Sequence, residues 1–170
     1  MNNYPTVMMT ADEVAYYTAE GNRRTNFAKA NGLVNLHGTG GGNQSNDVPG
    51  AGAEYAYSLF TGLEWTGRGS DNDPGRGRHK GPDVGGVRGE TAWQVRWTRT
   101  QFLWLQEIDD PSQRFALVRG GPVAWDMIGW LWGYEAMQDK WFHEQRSKGW
   151  RTDAYRVPIE ALRPLPAVGE

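Results

Sequence analysis

The chain has 170 residues, a formal net charge of −2, nine Trp, 23 Gly and no Cys. This is the size of a single domain with one real core. The charge excludes a uniformly basic nucleic-acid binder, so any DNA-binding surface has to be local. The absence of Cys excludes a disulfide framework and a thiolate metal site.

No apolar run approaches the roughly 20 residues of a membrane span, and no basic region leads into an apolar core at the N-terminus. The expectation is a soluble, intracellular protein with no membrane partner. Residues 1–9 read as an extended lead-in with Pro5. Thr10-Ala11-Asp12-Glu13 then fits a capping box, with Thr at the N-cap and Glu at N3. The helix it opens runs through Tyr17 and past Gly21 to Phe27 and Ala30, and Asn31-Gly32 supplies the stop. Arg23 and Arg24 read as its solvated face, with a phosphate contact as the alternative. Residues 37–49 form a Gly-rich polar connection. It lacks the Gly-Lys-Ser/Thr ending of a P-loop.

A second helix is expected over 50–63, where Ala53, Ala56, Leu59, Phe60 and Leu63 form an apolar stripe at helical spacing. Asp47 suits the cap and Pro49 the first turn. The small residues Gly50 to Ala53 permit close packing on a sheet. Glu54 lies early on this helix; a lone helical Glu is ordinarily solvated. Residues 66–81 hold Gly, Arg and Asp without an apolar side chain. Arg68, Arg76, Arg78 and Lys80 make this a cationic loop that can track a phosphate backbone, or else a plain solvated one.

Strands are expected at 102–105 and 115–118, with Asp109 and Asp110 as turn formers between them, and at 123–132. A short helix is expected over 135–143, followed by a tail over the core. Most of the Trp residues read as core, although Trp also stacks on bases.

The stretch with chemistry is Gly81-Pro82-Asp83-Val84-Gly85-Gly86 and the strand that follows it. In 93–98 Trp93, Val95 and Trp97 point one way and Gln94, Arg96 and Thr98 the other, the period of a half-buried strand. Glycines after Asp83 permit a sharp return, which would set Asp83 beside the Gln94/Arg96 face.

Pro82-Asp83 followed by Gln94-Val95-Arg96 resembles the active-site hairpin of the PD-(D/E)XK nuclease superfamily. Gly52-Ala53-Glu54-Tyr55-Ala56 resembles the preceding helix, whose Glu faces the metal in many such nucleases. Through residues 81–86, 94–98, 129–136 and 157–164 the chain also resembles a group of small phage-encoded proteins with a nuclease-like fold. The resemblance implies a single α/β (α+β) domain with a central mixed sheet of four or five strands flanked by helices. It implies a Mg²⁺ or Mn²⁺ site with Asp83 as chief ligand, Gln94 and the Val95 carbonyl as secondary ligands, and Glu54 assisting directly or through water.

Arg96 stands where the superfamily has Lys, and Gln94 where it has Glu or Gln. Gln brings an oxygen without charge. Arg stays protonated, so it clamps a phosphate but accepts a proton poorly. Without metal, Arg96 is expected to pair with Asp83 or Glu54 as an internal counter-ion. The implied function is metal-dependent hydrolysis of DNA phosphodiester bonds in the host cytoplasm. The alternative is a catalytically degenerate phage factor that binds DNA or a host protein, or a virion component. A homodimer is compatible with either.

Overall fold

The computed structural model describes residues 4–30, 44–66, 82–85, 92–145 and 153–166. The Gly-rich connection at 37–43 and the cationic residues Arg68, Arg76, Arg78 and Lys80 lie outside the described residues.

In chain order the elements are β1 (Thr6–Met8), α1 (Ala11–Ala30), α2 (Gln44–Thr61), β2 (Trp93–Thr98), β3 (Phe102–Gln106), β4 (Arg114–Gly120), β5 (Ala124–Trp132), α3 (Gly133–Ala136), β6 (Phe142–His143) and β7 (Ala154–Pro158). The protein is α+β. A mixed four-stranded sheet has the order β1-β5-β4-β2. β4 pairs parallel with β2 and antiparallel with β5, which pairs antiparallel with β1.

The capping box forms as expected. The Thr10 amide donates to Glu13 Oε2 (2.7 Å) and the Glu13 amide to Thr10 Oγ1 (3.3 Å). α2 begins six residues before the expected 50, so Asp47 lies inside the helix and does not cap it. Its carboxylate instead accepts a bond from the Thr25 hydroxyl of α1 (2.7 Å). Contact with α1, rather than local capping, holds this first part of α2. The two helices meet at Gly21, where a Cβ would lie 2.5 Å from Val48 Cα. Gly52 likewise has no room for a Cβ, which would stand 2.5 Å from the Trp125 ring of β5.

The expected central mixed sheet is present, with four strands. Two other expectations are corrected. The strand at 102–105 and the tail lie outside that sheet, because β3, β7 and β6 form a separate antiparallel three-stranded sheet in the order β3-β7-β6. β3 finds its partner in the tail, and no local pattern encodes a pairing at that separation. The helix expected over 135–143 is a single turn, Gly133–Ala136. Gln138 is already extended, and Phe142–His143 are drawn into pairing with β7. Backbone pairing there outweighs the helical spacing of Ala136, Met137, Lys140 and Trp141.

The core has two parts, one on each face of the four-stranded sheet. On β4, Ala116 and Val118 point into a cluster with Tyr17, Ala56, Tyr57, Trp93, Val95 and Trp125 under α1 and α2. Phe115 and Leu117 point into the other, with Leu103, Leu105, Leu131 and Val157 against the second sheet. Each large apolar side chain fully buried in this way contributes roughly 1.5–3 kcal/mol. Among the described residues no helix is long and apolar enough to cross a membrane.

Candidate functional site: two carboxylates at the open edge of β2

β2 is an outer strand, and the segment 82–85 lies along its free edge. Val84 bridges Trp93 on one side and Trp65 on the other. The Asp83 amide donates to the Trp93 carbonyl (2.9 Å), and the Trp93 amide to the Val84 carbonyl (2.9 Å). On the far side Thr66 donates to the Asp83 carbonyl (3.0 Å) and Gly85 to the Glu64 carbonyl (2.8 Å). Gly85 has φ +95°, a conformation open to glycine, and it turns the chain just after Asp83. The antiparallel return expected from the sequence is therefore present at Val84 and Trp93; residues 86–91 lie outside the description.

Backbone groups alternate in direction along a strand. Trp93 turns its amide and carbonyl outward to Val84, so Val95 turns its own outward as well. The Val95 amide donates to Asp83 Oδ2 (2.8 Å). Its carbonyl lies on the same outward side.

Glu54 arrives from α2. Arg24 of α1 grips it with both terminal nitrogens, Nη1 to Oε1 (2.9 Å) and Nη2 to Oε2 (2.6 Å). The Trp65 indole donates to the same Oε2 (2.9 Å). Arg24 also reaches Glu20 through Nε (3.3 Å), and Arg23 pairs with Glu20 (2.6 Å). Such bidentate, charge-assisted bonds are the strong class of hydrogen bond.

Arg96 reaches two acids. Its Nη1 lies 3.9 Å from Asp83 Oδ2, and its Nη2 donates to Asp109 Oδ1 at 2.9 Å. The expected pairing with Asp83 is thus long, and Asp109 holds the guanidinium more closely. Asp109 also forms the expected turn, accepting the Gln106 amide (2.8 Å). Gln94 is buried beside Phe115, its register partner on β4, on the face of the sheet away from α2. The Arg96 guanidinium lies 5.1 Å from the Phe115 ring on that same face. Asp83, at the edge, is the residue that meets both sides.

Burial pushes the Asp83 carboxyl up to about 7, and the negative charge of Glu54 pushes the same way. Arg96, the Val95 amide and Arg24 oppose the shift without cancelling it. Burial works to lower the Arg24 pKa, but Glu54, with Asp83 and Glu20, overrides it and raises it.

The structure therefore brings together Asp83, Glu54, the Val95 backbone and one end of Arg96. It sets Gln94 on the far face, and Arg68, Arg76, Arg78 and Lys80 lie outside the described residues. Sequence reasoning missed Arg24 and Trp65 and expected Arg24 to be solvated. A signal for Arg24 existed: Tyr17, Gly21 and Arg24 recur at helical spacing, so the face that buries Tyr17 and Gly21 carries Arg24 inward as well.

Asp83, Glu54 and the Val95 carbonyl are hard oxygen donors of the kind that bind Mg²⁺. Both Glu54 oxygens are, however, already engaged by Arg24. Among the described residues no three of His, Cys, Asp and Glu gather to hold a metal unaided. Comparison of the chain with protein-family models, curated proteins and solved structures yields no match.

Proposed function

We propose that the protein is a phage-encoded, PD-(D/E)XK-like nuclease that hydrolyses DNA phosphodiester bonds with Mg²⁺ or Mn²⁺ in the host cytoplasm. One observation carries this reading: two buried carboxylates from separate elements, Asp83 and Glu54, interact at the outer edge of β2. Asp83, Glu54 and the Val95 carbonyl would hold the cation. A divalent cation at such a site neutralises phosphate charge and makes bound water more acidic. Arg96 remains protonated, so its part is to bind the phosphate and stabilise charge developing on it. Gln94, on the far face of β2, is left out of the ligand set.

The test is incubation of supercoiled plasmid with Mg²⁺ or Mn²⁺ and either wild type or Asp83→Ala. Loss of one chief carboxylate ligand should reduce nicking by about 100-fold, at the upper end for loss of a group that supports a metal site. Equal nicking by both preparations would overturn the reading.

A second reading has its own support. Arg24 already saturates both oxygens of Glu54, and Asp109 holds Arg96. A site neutralised from within suits a catalytically degenerate factor that binds DNA or a host protein. Binding that EDTA leaves unchanged, with no Asp83-dependent cleavage, would select it.

A further inference from the structure

Arg24 and a divalent cation would make claims on the same carboxylate. Arg24 Nη1 donates to Glu54 Oε1 (2.9 Å) and Nη2 to Oε2 (2.6 Å), so one planar fork engages both oxygens. The Trp65 indole donates to Oε2 as well (2.9 Å). Oε2 thus accepts from two side chains and Oε1 from Arg24, which makes Oε1 the easier oxygen to release. A cation bound at Oε1, roughly 2.0–2.6 Å away, would stand beside the guanidinium, like charge against like in a buried place.

The surroundings let Arg24 give way while Glu54 stays. The Arg24 side chain is 20% exposed and that of Glu54 9%, so the guanidinium is the more accessible member of the pair. Arg24 also has a second acid to hold it. Its Nε lies 3.3 Å from Glu20 Oε1, one turn back on α1. Glu20 is itself fixed by Arg23, through Nε (2.8 Å) and Nη2 (2.6 Å). The Trp65 N–H keeps hold of Glu54 whether or not Arg24 is on it.

We propose that Arg24 is a latch on the cation site: it competes with a divalent cation for Glu54, and its guanidinium moves from Glu54 toward Glu20 when the cation is taken up. This deepens the nuclease reading and rests on it for the cation and for Asp83 as its chief ligand. Arg24 is then a positioning residue, acting through Glu54. The apparent affinity for the cation is the intrinsic one reduced by the fraction of molecules in which Arg24 has let go.

The test is a Mn²⁺ titration without DNA, followed by electron paramagnetic resonance, on wild type, Arg24→Lys and Arg24→Gln. Lys keeps the charge but lacks the fork, and Gln removes both. Affinity for Mn²⁺ should rise in that order, with Arg24→Gln about 10- to 100-fold tighter than wild type, the range for loss of one charge-assisted bond. Both variants should melt below wild type in EDTA and gain more from Mn²⁺ than wild type does, because binding to the folded state stabilises it. A merely structural pair would give the lower melting point without the tighter binding. Unchanged or weaker Mn²⁺ affinity in the variants overturns the latch. So does an Arg24→Lys affinity equal to that of wild type, which settles the matter even if Arg24→Gln fails to fold. Plasmid nicking reports separately. Equal Mn²⁺ affinity in all three proteins with Asp83-dependent nicking sinks this inference and leaves the nuclease reading. Tighter binding in the variants without Asp83-dependent nicking does the reverse, and no Mn²⁺ binding by any of them sinks both.

Discussion

Glu54 and Asp83 are equally buried, each 7% exposed, yet the fold treats their charges differently. Glu54 receives a bidentate guanidinium and an indole N–H. Asp83 accepts the Val95 amide, and Arg96 stands 3.9 Å from it with a shorter bond to Asp109. The first carboxylate is gripped directly by a guanidinium, while the second keeps a raised pKa. A buried acid whose pKa is raised is the one that gains from a proton or a cation. The site is therefore asymmetric: Glu54 is anchored by α1, and Asp83 is the end that responds to the surroundings.

The largest expected effect breaks the anchored end. Arg24→Ala would leave Glu54 buried with the Trp65 indole N–H as its remaining donor among the described residues. Removing one partner of a buried pair costs about 3–5 kcal/mol, and the low end applies because the Arg24 side chain is 20% exposed. Urea denaturation measures it. An unchanged midpoint would show that Glu54 does not depend on α1.

The responsive end is tested by Asp83→Asn, which still accepts the Val95 amide. In the folded protein the Asp83 pKa is raised from 3.8 to about 7. The native state therefore holds its proton more tightly than the unfolded chain does. That contribution is fully present below about pH 4, falls as pH rises toward 7, and is gone above it. Asn carries no such titration. The variant should gain on wild type across this window, reaching roughly 2 kcal/mol at pH 8, less than the full shift implies because Arg24 and Arg96 lose a negative neighbour. Parallel stability–pH profiles for the two proteins would refute the asymmetry.

The smallest effect sharpens the comparison. Trp65→Phe keeps an aromatic ring in the core and removes the indole N–H from Glu54 Oε2. Because Arg24 still holds both oxygens, the loss should be about 1 kcal/mol, near the ordinary value for one hydrogen bond. A loss as large as that of Arg24→Ala would show that the indole, not the guanidinium, anchors Glu54. Thermal melts of the two variants side by side decide it.

Short-range order was legible in the chain. The Thr10/Glu13 capping box, the alternation of Trp93, Val95 and Trp97 against Gln94, Arg96 and Thr98, and the turn at Asp109 each follow from neighbours a few residues apart. The approach of Asp83 to β2 was legible too, because Gly85 permits the turn that brings Val84 back on Trp93. Arg24 was misread as solvated because its partner Glu54 lies thirty residues on, across a helix crossing made possible by the lack of a Cβ at Gly21.

The division of labour has a physical basis. Local sterics and backbone bonding set the caps, turns and period-two faces, and these can be read from spacing alone. Tertiary packing decided which charges meet. It sent β3 to pair with β7, gave Glu54 to Arg24, and drew Arg96 toward Asp109. It also placed Gln94 and Glu54 on opposite faces of one sheet. A buried charge takes the partner that the assembled layers bring within hydrogen-bonding distance, and that distance exists only once the layers have packed.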